Sequence, residues 1–171
     1  FFLRKAPMRY VLEFFTIILP HPTKFCQYFI LLIENFNLYS DEDGVKHIRI
    51  KARPNKWHEN DCPFCHKSCP AYDKHSSRPT TWRGLDWGGI LVEVEYQTHR
   101  IICLEHGVYV AEVPWAYPGS RFTKDFDLTV AWFASYLPRS TTSYFMRVDW
   151  ETVGRCVNRA LHDLEPERSR R

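Results

Sequence analysis

Four of the six cysteines in this 171-residue chain fall between Cys62 and Cys103. Two of them form CPFC at residues 62–65, and Cys103 opens CLEH at 103–106. A Cys-x-x-Cys pair alone can bind a metal, exchange a disulfide or sit in a core. The second string favours metal: Cys62, Cys65, Cys103 and His106 are two ligand pairs, each split by two residues, and two such turns build a tetrahedral zinc site. Pro63 stiffens the first turn, and Gly107 permits the backbone conformation needed after the second. Four protein ligands leave no open coordination position, so the expected zinc is structural. Sites of this kind contribute on the order of 10 kcal/mol to folding. Cys69 is a spare ligand, while Cys26 and Cys156 read as core thiols.

Two enzymatic alternatives fit less well. A thiol–disulfide enzyme needs a strand-to-helix transition at its dithiol, whereas a loop rich in lysine and histidine follows CPFC. A zinc deaminase needs H-x-E and P-C-x-x-C, but His58 and Glu59 are adjacent and Pro63 lies inside the pair.

The elements that must position these turns are strands. Ile48, Ile50 and Ala52 alternate with Arg49, Lys51 and Arg53 after an Asp41–Gly44 turn, and Ile90, Val92, Val94 and Tyr96 alternate with Leu91, Glu93, Glu95 and Gln97. Arg100–Cys103 leads into CLEHG and Val108–Val113 leads out. The pattern predicts a zinc ribbon over residues 44–119.

Upstream, residues 8–19 predict a helix ended by Pro20 and Pro22. Thr23 caps a predicted second helix carrying Phe25, Phe29, Leu32 and Phe36. This 1–43 segment is expected to be a helical hairpin packed on its own chain or, since Cys26, Ile30 and Ile33 widen its apolar stripe, a self-association surface. Pro20, His21, Pro22 and Lys24 interrupt the apolar run 14–33, so neither flank can span a bilayer. No small-residue cleavage site follows, which argues against a secretory signal. The cysteines gathered between Cys62 and Cys103 favour a reducing compartment, and the opening Phe1 suggests a fragment of a longer reading frame.

Downstream, residues 120–165 are helical. Phe126, Val130, Phe133 and Leu137 recur at helical spacing over Thr123–Leu137, with Asp125 and Asp127 in the first turn, where the helix dipole favours acids. A short helix follows from Thr141 to Met146. Asp149 caps a third, with Trp150, Val153, Val157 and Leu161 inward and Thr152, Arg155, Asn158, Arg159 and His162 outward. A short middle helix and a tight Arg147–Asp149 turn are the plan of a helix-turn-helix, whose last helix enters the major groove. Thr152, Arg155, Asn158 and Arg159 are the candidate DNA-contacting residues. Periodicity alone leaves a three-helix bundle with a solvated outer face equally open, and Glu151 and Asp163 keep helix charge from deciding. Residues 166–171 form a charged tail.

Composition is that of a folded protein, 44% hydrophobic and 25% charged, with a formal net charge of only +3. Charge is uneven: Gly44–Arg83 holds nine Lys or Arg against three acids, and Gly84–Glu112 holds five acids against one Arg. The basic stretch predicts a solvated face or a surface for an anionic partner.

Taken in order, CPFC, WRGLD (82–86), CLEHGV (103–108), VPWAYPGSRFT (113–123) and VDWETVGR (148–155) resemble bacterial insertion-sequence transposases of the ISL-three family. The resemblance runs from Cys62 to Leu161. It implies an α+β chain: an N-terminal zinc-binding domain, then a helix-turn-helix, both binding double-stranded DNA at the terminal inverted repeats of the mobile element. It also implies that Trp82, Arg83, Asp86 and the Pro114–Trp115 turn belong to the shared fold core. Arg83 and Arg121 are further candidates for phosphate contact. His66 departs from the glycine usual after the first ligand pair, straining that turn or offering a competing ligand. Family members continue into a catalytic domain with three metal-binding acids. DLEPERSRR cannot form one, so strand transfer is not expected of this chain as it stands. A stand-alone regulator, or a truncated transposase acting as a repressor, is the alternative.

Overall fold

The computed structural model describes residues 31–74, 76 and 78–168. Its fold is α+β. Among the described residues, six strands, β1 (Leu31–Ser40), β2 (Lys46–Pro54), β3 (Thr80–Arg83), β4 (Leu91–Tyr96), β5 (Arg100–Cys103) and β6 (Gly107–Val110), precede three helices, α1 (Lys124–Tyr136), α2 (Arg139–Met146) and α3 (Trp150–Arg168).

The larger sheet has the order β1-β2-β4-β3. β1 and β2 pair antiparallel through the Asp41–Gly44 turn, where Gly44 takes φ +77°. β2 and β4 pair in parallel, so the chain between them must leave the sheet and return. That excursion carries the first cysteine pair and β3, which pairs antiparallel with β4. β5 and β6 form a separate hairpin.

β1 corrects the predicted second helix in its described part. Leu32 and Phe36 stand in a strand, and Phe25, Phe29 and the predicted 8–19 helix lie outside the described residues. A spacing of four fits a period of two as well as one of 3.6, and pairing with β2 decides between them. Leu31 and Ile33 pack with Ile48 and Trp115 around Ile50, Ala52, Val92 and Val94. A register shift between Ile33 and Asn35 leaves Glu34 as the extra residue of a bulge. From Leu31 onward, therefore, the predicted N-terminal segment shares one sheet with residues 44–119.

The strand pairing also answers the charge asymmetry. Arg49 sits opposite Glu93, and Lys51 opposite Glu95. Arg49 reaches Glu93 at 2.8 Å and Tyr39 joins them, donating to Glu93 at 2.8 Å. Arg53 pairs with Glu34 at 3.0 Å. The basic run of β2 is thus neutralised within the sheet.

The helices enclose a second core of Phe126, Val130, Met146, Val153 and Cys156. Thr123 caps α1, its hydroxyl accepting from the Phe126 amide. α2 ends on Arg147, whose left-handed conformation (φ 52°) turns the chain into α3. Asp149 then accepts from the Thr152 amide at 2.7 Å and its hydroxyl at 2.6 Å. Those hydrogen bonds hold its carboxyl below the ordinary carboxylate value.

The inward stripe of α3 is rotated from the predicted one. Val153 is buried, but Cys156 and Ala160 fill the core beside it, while Trp150 and Leu161 are exposed. Burial pushes the Cys156 thiol up to about 12, which suits an inert core position.

Candidate functional site

The first cysteine pair lies on a turn closed by two backbone hydrogen bonds, Cys62 N–H to Lys67 C=O (3.0 Å) and His66 N–H to Cys62 C=O (2.9 Å). His66 adopts φ 56° to complete it, a left-handed conformation that a glycine would take without strain. Its ring is not a competing ligand, because Nδ1 meets Glu112 at 2.6 Å. The second pair occupies the β5–β6 turn, where Cys103 is the partner of Gly107 and Gly107 takes φ +84°. Lys67 and Glu105 link the two turns as an ion pair.

These turns bring Cys62, Cys65, Cys103 and His106 together, with all four ligand atoms within 4.8 Å of one another. Cys65 Sγ lies 3.8 Å from Cys103 Sγ. His106 Nδ1 lies 3.6 Å from Cys62 Sγ and 3.5 Å from Cys103 Sγ. A tetrahedron with metal–sulfur bonds of about 2.3 Å and metal–nitrogen bonds of about 2.05 Å has S···S edges near ~3.8 Å and S···N edges near ~3.5 Å. These three edges match, and Cys65 and Cys103 stand far beyond disulfide length. His106 draws the Cys103 thiol down to about 6, towards the thiolate that a metal requires. The cluster is therefore compatible with a metal site.

Cys69 stays outside the four-atom cluster. Its thiol donates to the Lys67 carbonyl at 3.3 Å, and burial pushes it up to about 11. Phe64, between the first two ligands, packs on the His106 ring (5.2 Å between centroids) and edge-on to Tyr109 (4.8 Å).

The four candidate DNA-contacting residues of α3 divide into two pairs. Arg155 and Asn158 are exposed. Thr152 is buried and its hydroxyl is committed to Asp149. Arg159 grips the fully buried Asp127 through two hydrogen bonds, 2.7 Å from Nε and 2.8 Å from Nη2. Asp127 also accepts from Ser120, so it is the anchor of an ion pair between α1 and α3 rather than a dipole partner. Arg155 Nη2 donates to Thr152 Oγ1 at 2.9 Å and keeps the rest of its guanidinium in solvent.

Arg83 has a role that its sequence position did not reveal. It donates to the Arg147 carbonyl (2.8 Å) and the Met146 carbonyl (3.1 Å), satisfying the C-terminal end of α2. Asp86 stands 3.4 Å from Arg83 and 3.6 Å from Arg147. The backbone of Arg83 also pairs with the 121–123 segment. WRGLD is thus a clamp from the sheet onto the helical turn. Trp82 is buried with Val113 and Ala116 and meets Trp115 edge-on at 5.6 Å. The helix-end carbonyls lie 64 and 63 residues along the chain from Arg83, and nothing local signals them.

Fold and site define an α+β protein with a candidate Cys3His metal centre and a three-helix unit clamped to its larger sheet. Among the described residues, no helix is long and apolar enough to cross a membrane. Residues 111–161 match the helix-turn-helix domain of transposase family ISL3. The chain is also 35% identical over 136 residues to the transposase for insertion sequence element IS1557 of Mycobacterium tuberculosis, in strains CDC 1551 / Oshkosh and H37Rv. The alignment covers 78% of this chain and 30% of each relative's length. No solved structure matches. The chain belongs to the ISL3 transposase family and spans less than a third of the length of the curated relatives it matches.

Proposed function

We propose that this chain recognises the terminal inverted repeats of an insertion sequence for its transposase, through a helix-turn-helix formed by α1, α2 and α3. The observation that carries the proposal is the Arg147–Asp149 turn between a short α2 and a long α3, lying within the matched residues 111–161. α3 reads bases with Arg155 and Asn158, since arginine matches a guanine edge bidentately and asparagine an adenine edge, each worth about 1–3 kcal/mol of discrimination. Thr152 and Arg159 hold that helix in place.

Cys62, Cys65, Cys103 and His106 hold a structural zinc in a ribbon-like unit. The ion would replace a large apolar core: the buried cluster there is only Cys62, Ile101, Cys103 and Ala111. With the charges of β2 neutralised, phosphate contacts fall to the helical unit and its flanks rather than to the sheet.

The test is selection of bound duplexes from a random pool by the zinc-loaded chain at near-physiological salt. Enrichment of one motif that recurs at the ends of a mobile element is the expected result. Arg155→Ala should then cost about 1–3 kcal/mol and relax one or two positions of that motif. Salt-sensitive retention without enrichment would overturn base reading by α3.

A further inference from the structure

We propose that Arg139 is a phosphate-contacting residue, held over the first turns of α3 by the Trp150 ring and by the bare backbone of Gly154. The proposal rests on the DNA-binding reading above and deepens it.

Arg139 opens α2 and is exposed, yet its guanidinium is placed. Its carbon lies 5.6 Å from the Trp150 ring centroid. A Cβ on Gly154 would meet its Nη2 at 3.0 Å, so the bare backbone seats the guanidinium a few tenths of an ångström closer than a side chain would allow. Trp150, Gly154 and Asn158 follow one another at i, i+4 and i+8, so the cation rests on the stripe of α3 that ends at a proposed base-reading residue.

Of the other arginines around the helical unit, Arg121 is exposed with no described carboxylate in ion-pair range, and four are answered from within the protein. Arg159 is paired with Asp127, and Arg83 with Asp86 and two carbonyls. Arg147 faces Asp86 and Arg155 faces Asp149. No carboxylate lies in ion-pair range of Arg139 among the described residues. Resting a guanidinium over an indole face leaves N–H groups free for an anion and removes rotamer freedom that binding would otherwise have to remove. In a helix-turn-helix, the helix preceding the reader crosses the phosphate backbone, and α2 is that helix. A phosphodiester oxygen of duplex DNA is the ligand this cation fits.

The test compares salt dependence of binding for wild type, Arg139→Ala, Gly154→Ala and the double variant. Two duplexes serve as probes: the one enriched by wild type and a scrambled one of equal length. Arg139→Ala should lower the log–log salt slope by about 0.9 and weaken both duplexes roughly tenfold, with the enriched motif unchanged. Gly154→Ala should keep or raise the thermal midpoint, because alanine favours helix. It should nevertheless weaken binding by displacing the guanidinium, and that loss should vanish when Arg139 is already alanine. An unchanged slope for Arg139→Ala overturns the phosphate contact. An equal loss from Gly154→Ala with and without Arg139 overturns the seat. A wild-type chain that binds all duplexes alike would sink base reading yet leave the slope comparison intact. Retention of no duplex at all would overturn both.

Discussion

The ligand end and the helical end of this molecule are ordered by different means. Around CPFC and CLEH, two turns and one hairpin enclose a buried cluster of four residues, two of them cysteines. Around α1–α3, Phe126, Val130, Met146, Val153 and Cys156 form a closed core, reinforced by the Asp127–Arg159 pair. The first arrangement suits an ion at its centre, whereas the second supports itself by packing. Position along the chain does not account for this. A β-hairpin with most of its side chains exposed buries too little to offset its ordering entropy, while three helices around a shared stripe bury enough.

The contrast breaks most sharply under metal removal. Cys103→Ser, or a strong chelator, should abolish hydrogen-exchange protection over residues 60–72 and 99–112, a loss on the order of 10 kcal/mol, while the amides of the larger sheet and of α1–α3 remain protected. Loss of both ends together would show that the helical core depends on the ligand cluster. Next in size is Asp127→Ala, which leaves Arg159 with a cation beside the core. It should cost about 3–5 kcal/mol in denaturant midpoints of the helical unit, with metal content unchanged. Arg83→Ala tests the connection between the ends. Freeing two helix-terminal carbonyls should cost about 1–3 kcal/mol and loosen Met146–Asp149 in exchange experiments before either core opens.

The smallest effect is a pH dependence. The Asp149 carboxyl is held below its ordinary value by the Thr152 hydroxyl and amide. A depressed folded-state value stabilises above the unfolded carboxylate value, and the contribution fades as pH falls through the folded one. Protection factors at the first turn of α3 should accordingly fall in acid, and Asp149→Asn should flatten that fall.

What could be read from the sequence was what is local. Cys62, Cys65, Cys103 and His106 were legible because each pair belongs to one turn, and two pairs at one spacing imply a common centre. The three helices were legible from periodicity and from Thr123 and Asp149. β1 was not, because Leu32 and Phe36 satisfy two periods at once. β3 was not, because Thr80–Arg83 is too short to show alternation. The two residues of the α1–α3 ion pair lie thirty-two positions apart, so Arg159 looked like a free basic residue. Counting charge along the chain likewise missed the cancellation that parallel pairing of β2 and β4 produces.

That parallel pairing also sets an order in time. β2 cannot find β4 until the whole excursion between them has been synthesised, and Cys65 precedes Cys103 by thirty-eight residues. Chain growth at about 5–20 residues per second makes that an interval of roughly 2–8 s. For those seconds the growing polypeptide carries half a chelate, two thiols with no second pair to meet. Its maturation is therefore exposed to oxidants and to competing soft metals during synthesis, before the finished fold can exclude them.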